Sequence, residues 1–333
     1  MTEKKTNKKV EETIASLNKT YGSGAVMKFG DAPEKAEYDI IPTGSLKLDI
    51  KSGIGGYPRG RIIEIKGWES SGKTTLLIHA IAECQKKGLL AAIIDVEHAF
   101  DIGYARALGV DVDNLYISQP MSAEEGLEIL DTLIKTEEFG LIGIDSVAAL
   151  VPQKELEGEM GQSSIGLQSR LMGQALRKIT ALAERHKTLV IFINQLREKI
   201  GVMFGSPETT SGGNALRFYA SMRLDVRRTI DKENEKNLTR VTFEKNKLAP
   251  PFGKAEIDIV WGKGIDRNKE IVDLGVEYDI IHKGGAWYTY KEMKFQGLDK
   301  LQEAFNDNPE VYAEVEEAIK TYLKNAEEVS TVS

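Results

Sequence analysis

The segment Gly67-Trp-Glu-Ser-Ser-Gly72-Lys73-Thr74 constrains this chain more than any other stretch of it. It follows the short apolar run Arg61-Ile-Ile-Glu-Ile-Lys66, which predicts a strand, and it opens Thr74 to Cys84, which predicts a helix. Gly67 and Gly72 let the backbone curl so that consecutive N–H groups point inward, and the helix N-terminus adds its own unpaired donors. Such a turn is a cradle for a polyphosphate. Lys73 places a positive charge on the β and γ oxygens, and the Thr74 hydroxyl can join the shell of a Mg²⁺ ion. The motif works only between a strand and a helix, so it commits the surrounding chain to an alternation of the two.

The flanking sequence has that alternation. Leu89 to Asp95 and Leu141 to Asp145 are continuous apolar strands, and Ala123 to Thr136 reads as a helix between them. Leu167 to His186 reads as a long helix leading into a strand from Thr188 to Asn194. Continuous apolar strands separated by helices predict a parallel sheet covered on both faces. After Ala220 the pattern changes. Ser221 to Arg227, Arg240 to Glu244 and Ala255 to Val260 alternate polar and apolar residues, as antiparallel strands extending the sheet would. Near the start, Val10 to Tyr21 reads as a short amphipathic helix with Val10, Ile14 and Leu17 on one face. The predicted fold is α/β: a mainly parallel sheet flanked by helices, with an N-terminal helix and a small C-terminal α/β domain. Residues 1–35 form a helix and linker suited to docking on a neighbouring subunit, residues 36–265 the core, and residues 266–333 the small domain with a strand at Ala286 to Tyr290.

Two kinds of carboxylate are expected beside the phosphates. Asp145 ends an apolar strand, the position from which a carboxylate helps to hold Mg²⁺. Another carboxylate would orient and deprotonate the water that attacks the γ-phosphate. Asp95, Glu97 and Asp101 all lie at or just past the end of a second buried strand, and spacing alone does not choose among them.

The formal net charge is −7, which excludes a simple basic nucleic-acid binder; any DNA contact must come from a local patch. The single cysteine, Cys84, cannot close an internal disulfide, which fits a reducing compartment and predicts a cytoplasmic protein. No apolar run reaches the ~20 residues of a membrane span. The basic stretch Met1 to Val10 has no apolar segment after it, so no secretory signal is expected.

Six blocks then carry a resemblance. They are Gly67-Trp-Glu-Ser-Ser-Gly-Lys-Thr-Thr75, Asp95-Val-Glu-His-Ala-Phe-Asp101, Ile144-Asp-Ser-Val-Ala-Ala-Leu150, Ile193-Asn-Gln195, Gly201-Val-Met-Phe-Gly205 and Pro207-Glu-Thr-Thr-Ser-Gly-Gly-Asn-Ala-Leu216. In this order, and from about Val10 to about Tyr322, the sequence resembles the RecA family of bacterial recombinases. The resemblance implies a RecA-type P-loop sheet that binds ATP with Mg²⁺. Gly67, Trp68, Glu69, Ser70, Ser71, Gly72, Lys73, Thr74 and Thr75 would surround the nucleotide, with Thr74 and Asp145 at the metal. It further implies that Glu97 is the catalytic base and that Gln195 senses the γ-phosphate at the start of a DNA-binding loop. Asp101 and Tyr104 would lie against the adenine. Lys245 and Lys247 read by themselves as a solvated pair on a strand; the resemblance implies that they reach the phosphates of a neighbouring subunit's ATP.

Two loops would face DNA. The first spans about Glu157–Gly166, has Ile165 at its tip, and precedes the helix carrying Arg170 and Arg177. The second spans about Leu196–Thr210. There Arg197 and Lys199 offer charge to phosphates, while Ile200, Met203 and Phe204 can wedge between bases or stack on them. Gly212 and Gly213 just beyond it offer backbone N–H groups. A few such donors per subunit, repeated along a helical assembly, reconcile DNA binding with an acidic chain.

Some positions depart from the family's usual pattern. Trp68 stands where proline is common, Phe100 where leucine is frequent, and Ile165 where methionine is frequent. The last residues, Asn325 to Ser333, are not a long acidic tail, so a tail's restraint on duplex capture is expected to be weaker here.

The reading is an ATP-dependent DNA recombinase of homologous repair and the SOS response, acting as a filament on single-stranded DNA that pairs it with a homologous duplex. The implied partners are those two DNAs, further copies of the chain and a LexA-like repressor, with no membrane. Three rivals share parts of the pattern. A hexameric motor would not need the blocks Gly201 to Gly205 and Pro207 to Leu216; a small-molecule kinase would ignore DNA; a non-catalytic paralogue would not keep Lys73, Thr74, Glu97 and Asp145.

Overall fold

The computed structural model describes residues 8–22, 25–28, 38–159, 166–198 and 208–332, with side chains as far as residue 326. The chain divides into two compact units, Met1–Tyr38 and Asp39–Ser333. In the first, helix α1 (Lys8–Tyr21) contains the expected helix, and none of its residues is buried. Asn18 ties the chain beyond it, donating from Nδ2 to Val26 O at 3.0 Å and accepting from Val26 N at 2.9 Å.

The second unit opens with strand β1 (Ile40–Ile41), helix α2 (Leu46–Ser52) and strand β2 (Tyr57–Pro58). Then come β3 (Ile62–Gly67), α3 (Lys73–Lys86), β4 (Leu90–Asp95), α4 (Ile102–Ala107), β5 (Leu115–Ser118), α5 (Ala123–Lys135), β6 (Phe139–Asp145), α6 (Gln153–Leu156), α7 (Leu167–His186) and β7 (Leu189–Glu198). The chain continues through β8 (Glu208–Thr210), α8 (Ala215–Tyr219), β9 (Met222–Asp231), β10 (Lys236–Asn246), β11 (Lys254–Val260) and β12 (Gly264–Ile265). It ends with α9 (Arg267–Glu277), β13 (His282–Gly284), β14 (Trp287–Tyr290), β15 (Met293–Gln296), α10 (Leu298–Asp307) and α11 (Pro309–Val332).

Ten strands form one sheet in the order β12-β11-β10-β9-β3-β7-β6-β4-β5, with β8 paired to β7. Strands β5, β4, β6, β7 and β3 are mutually parallel, as the apolar runs of β4 and β6 and the alternation with helices predict; β5 is an edge strand that the sequence reading did not include. β10 and β11 extend the sheet antiparallel, as their alternation predicts, but β9 joins β3 in parallel. The period of two sends neighbours to opposite faces. Ile63 and Ile65 of β3 join Leu76, Leu77 and Ile81 of α3 in one apolar cluster. Ile62 joins Leu127 and Leu130 of α5 and Leu176 and Ile179 of α7 in another. Each of these buried side chains contributes roughly 1.5–3 kcal/mol. Gly143 in β6 lets α3 lie close, because a Cβ there would stand 2.7 Å from Leu77 Cδ1.

Asp266 caps α9, its Oδ1 accepting from Lys269 N at 2.9 Å. From there Ile271, Leu274, Tyr288, Leu301 and Phe305 build a third cluster, against which Leu46 and Ile50 of α2 pack. The strand expected at Ala286 to Tyr290 is β14, the middle of a three-stranded antiparallel sheet. Among the described residues no helix is long and apolar enough to cross a membrane.

Candidate nucleotide and DNA sites

β3 delivers the chain to the turn and α3 leaves from it. A Cβ on Gly67 would come within 2.4 Å of Val226 O, so the strand can lie against β9 only without a side chain. Gly72 has φ +98°, and a Cβ there would meet Ile259 Cδ1 at 2.7 Å. Lys73 is buried, and its Nζ donates to Trp68 O at 2.6 Å, which holds the ammonium within the turn. Burial draws its pKa below the ordinary lysine value, while Asp145, Glu97 and Glu69 oppose that shift. A cation desolvated in this way favours a bound anion.

Asp145 ends β6 and is buried, and Thr74 Oγ1 donates to its Oδ2 at 2.6 Å. Burial pushes its carboxyl up to about 6, with the nearby Glu97 adding and the Thr74 hydrogen bond and Lys73 opposing. Mg²⁺ in nucleotide enzymes takes one or two protein oxygens, substrate phosphates and waters. A hydroxyl and a carboxylate in contact beside the turn fit that donor set.

The carboxylates after β4 separate by their partners. Asp95 is 2% exposed and accepts from Ala99 N, Phe100 N and Gln119 Nε2, so it holds the loop together. Asp101 caps α4, accepting from Tyr104 N at 2.9 Å. Glu97 accepts from Ser146 Oγ and, at 2.8 Å, from Gln195 Nε2. Gln195 lies on β7 level with Gly67 of the turn. Glu97 thus joins the loop after β4 to the end of β6, through Ser146, and to the strand that enters the second loop, through Gln195.

A pocket of about 330 Å³ opens on the turn, lined by Ser70 to Thr75 and by Tyr104, whose hydroxyl lies 3.1 Å from Thr75 Oγ1. Its far wall is Asn237 together with Ile259 to Gly262. Trp261 donates from Nε1 to Asn237 Oδ1 at 3.4 Å. Sequence spacing offered no route to this wall, because it comes from β10 and the β11–β12 turn. Asp101, expected against the base, does not line the pocket; its carboxylate is engaged by α4.

Lys245 and Lys247 stand away from their own turn. Lys245 is level with Arg223 on β9 and so with Glu64 on β3, whereas the turn begins level with Val226. Three residues of strand separate the two levels by about 10 Å. Lys245 Nζ donates to Arg217 O at 2.7 Å and Phe218 O at 3.0 Å, and Lys247 Nζ to Phe218 O at 3.4 Å. Burial, then the charge of Lys247, lowers Lys245 to about 8.

Of the DNA-facing residues, Arg170 and Arg177 are exposed on α7, two turns apart on one face. Arg197 is exposed and donates from Nε to Ser211 Oγ at 3.2 Å. Gly212 is buried and its N–H donates to Gln168 Oε1, so that amide is not open to a phosphate as expected. Gly212 and Gly213 both have positive φ, and a Cβ on Gly213 would meet Ser169 Oγ at 2.4 Å. Their space is needed for packing on α7. Ile165, Lys199, Ile200, Met203 and Phe204 lie outside the described residues.

Residues 8–266 match the family model of the RecA N-terminal domain, and residues 269–324 match that of the RecA C-terminal domain. The chain belongs to the RecA family. It is 56% identical over 314 residues to Protein RecA of Porphyromonas gingivalis, an alignment covering 93% of this chain and 92% of that protein. Protein RecA of Bacteroides thetaiotaomicron is also 56% identical, over 93% of this chain and 95% of its own. Protein RecA of Acidiphilium cryptum is 54% identical over 319 residues, 94% of this chain and 93% of its own. As a RecA-family recombinase, the chain is a DNA-dependent ATPase that uses ATP and Mg²⁺, binds single- and double-stranded DNA and assembles into filaments.

Proposed function

We propose that this chain completes its ATPase sites at the junctions between neighbouring copies on single-stranded DNA, and that each residue of the site has a separate task. Gly67 to Thr75 wrap the phosphates, and Lys73 places its charge on them. Thr74 and Asp145 hold the metal, which when bound neutralises charge on the β and γ oxygens. Glu97 takes a proton from the attacking water. Tyr104 and Trp261 enclose the base from two sides, with Asp101 holding Tyr104 in place through the α4 cap. Lys245 and Lys247 leave the Arg217 and Phe218 carbonyls and turn to the nucleotide of the next copy.

The observation that carries this reading is the 2.8 Å bond from Gln195 Nε2 to Glu97. A γ-phosphate offers Gln195 a competing acceptor. When Gln195 moves, so does the strand that leads into the second loop, where Arg197 and the residues after it meet DNA. Arg170 and Arg177 add phosphate contacts beside the first loop. Residues 1–35 dock on a neighbour through Val10, Ile14 and Leu17, none of which is buried; residues 36–265 are the ATPase core, and residues 266–333 a separate small domain. The filament acts in the cytoplasm, in homologous repair and in the SOS response, where its partner is a LexA-like repressor.

The test is ATP hydrolysis with and without single-stranded DNA, with the assemblies viewed by electron microscopy. DNA-stimulated hydrolysis on helical filaments supports the reading. Closed rings, or a rate indifferent to DNA, refute it.

A further inference from the structure

The helix that leaves the phosphate turn, α3, carries a polar side chain in its apolar middle. From Leu76 to Ala82 every residue of α3 is buried, and His79 alone among them is polar. Burial, then the charge of Arg267, pushes its pKa down to about 3, with Glu83 opposing, so the ring is neutral at pH 7. A neutral imidazole has one donor nitrogen and one acceptor nitrogen. Nε2 is the acceptor, taking the Ile265 N–H at 3.1 Å. Nδ1 therefore carries the proton, and it is buried with no hydrogen-bond partner among the described residues. An unpaired buried donor is destabilising, and an aliphatic side chain would suit these surroundings better. What histidine adds here is the acceptor.

Ile265 belongs to β12, the last strand of the sheet, which pairs with β11. The turn between these two strands carries Trp261 and Gly262 of the pocket wall. Gly264, between that turn and Ile265, has φ +77°, and a Cβ there would stand 2.6 Å from His79 Nε2 and 3.0 Å from Leu108 Cγ. Leu108 caps the end of α4, the helix that carries Tyr104. The β11–β12 hairpin thus sits in a slot between α3 and α4. Just beyond it, Arg267 Nη2 donates to Glu83 Oε1 at 2.6 Å, one helical turn past His79 on the same face of α3. One helix therefore forms the phosphate turn at its start and holds the return strand of the hairpin at two points along its length.

We infer that His79 is a positioning residue for nucleotide recognition: by accepting from Ile265 N it seats the β11–β12 hairpin, and with it Trp261, at the place where the base of ATP is bound. The phosphate turn and the base wall are distant in sequence, and α3 sets the spacing between them. A side chain without an acceptor leaves the Ile265 N–H unpaired against the helix, so the hairpin moves off and the wall opens. The triphosphate, held at the start of α3, does not feel that change. The inference rests on the reading that Tyr104 and Trp261 enclose the base.

The experiment follows ATP hydrolysis by the full chain on saturating oligo(dT), with inorganic tripolyphosphate as a competitor that has no base. In His79→Leu the half-saturating ATP concentration should rise by about tenfold, the effect of losing one buried hydrogen bond. The maximal rate and the inhibition constant of tripolyphosphate should stay at the parent's values. A histidine that merely stabilised α3 would weaken ATP and tripolyphosphate alike. His79→Gln, whose amide oxygen can accept from Ile265 N, should recover most of the loss. Should His79→Leu not fold, Gly264→Ala tests the same contact from the other side, because its Cβ drives β12 off the imidazole, and the same loss confined to ATP is expected. Trp261→Ala is the control for the wall and should also raise the half-saturating ATP concentration. A rise there with none in His79→Leu, equal weakening of ATP and tripolyphosphate, or no recovery in His79→Gln overturns the inference while leaving the base wall in place. Parent ATP dependence in Trp261→Ala overturns both.

Discussion

Lys245 gives the proposed shared site a pH signature that can be worked out beforehand. Burial, and then Lys247 beside it, lowers its pKa from 10.5 to about 8. Its charge is therefore complete at pH 7 and is lost as pH rises through 8. If that charge completes the neighbour's site, kcat/KM for ATP in the presence of DNA should fall by about tenfold per pH unit above 8. Unfolding does not offer the same explanation. The unfolded chain keeps this proton up to 10.5, so between about 8 and 10.5 it binds more protons than the folded chain, and this group makes folding more favourable as pH rises. Activity should drop across a window in which Lys245 adds stability. Arginine holds its charge throughout, so Lys245→Arg should flatten the profile up to pH 9 even where its absolute rate is lower. The assay is steady-state hydrolysis on saturating oligo(dT) from pH 6.5 to 9, with thermal melting at each pH. A parent profile flat to pH 9, or a Lys245→Arg profile with the same fall, would refute the argument.

Other residues give separate tests. Lys73→Ala should abolish DNA-stimulated hydrolysis by emptying the turn of its buried cation; near-normal turnover would remove the phosphate assignment. Glu97→Gln should still bind ATP but hydrolyse it at least about a hundredfold more slowly, leaving long-lived filaments visible by electron microscopy; wild-type turnover would place the base elsewhere. Mixing Lys73-defective copies with copies defective at Lys245 and Lys247 should restore part of the activity at intermediate ratios, because a junction can then combine one intact half-site from each, and no rescue at any ratio argues against shared sites. Arg197→Ala should flatten the salt dependence of oligo(dT) binding by about 0.7 in slope for a single phosphate contact, as followed by fluorescence anisotropy, whereas an unchanged slope would mean that Arg197 does not touch the backbone.

Particular residues show why parts of the fold and site were readable in the sequence. Leu167–His186 was predicted to the residue, since Met172, Leu176, Ile179 and Ala183 recur at helical spacing and are all buried. The phosphate turn was readable because its chemistry is local: Gly67, Gly72, Lys73 and Thr74 are consecutive or nearly so. β5 was not readable, because it is a four-residue edge strand with Tyr116 and Ile117 exposed, too short to display a period. The difference between Glu97 and Asp95 lies in which backbone amides close on Asp95, and the wall formed by Asn237 and Trp261 depends on a strand pairing far along the chain. Contacts of that kind have no spacing to betray them. The parallel joining of β9 to β3 belongs with them, since alternation reveals how a strand is buried and not which way it runs.

The distance along the sheet between the phosphate turn and Lys245 has a consequence for the ends of any assembly. If, as proposed, the cations are supplied by a neighbour, a row of n copies contains n − 1 finished catalytic junctions. At one extremity sits a nucleotide that no partner lysine reaches; at the other, a pair of lysines with no nucleotide to meet. The extremities are therefore chemically unlike, even though every copy has the same sequence. Growth at one of them finishes the catalytic junction of the copy already there, and at the other it finishes that of the newcomer. Loss of a terminal copy likewise silences one junction, belonging to the departing copy at one extremity and to the copy left behind at the other. In the proposed arrangement, direction in growth and in shedding thus follows from the placement of Lys245 on β10 and of Lys247 just beyond it.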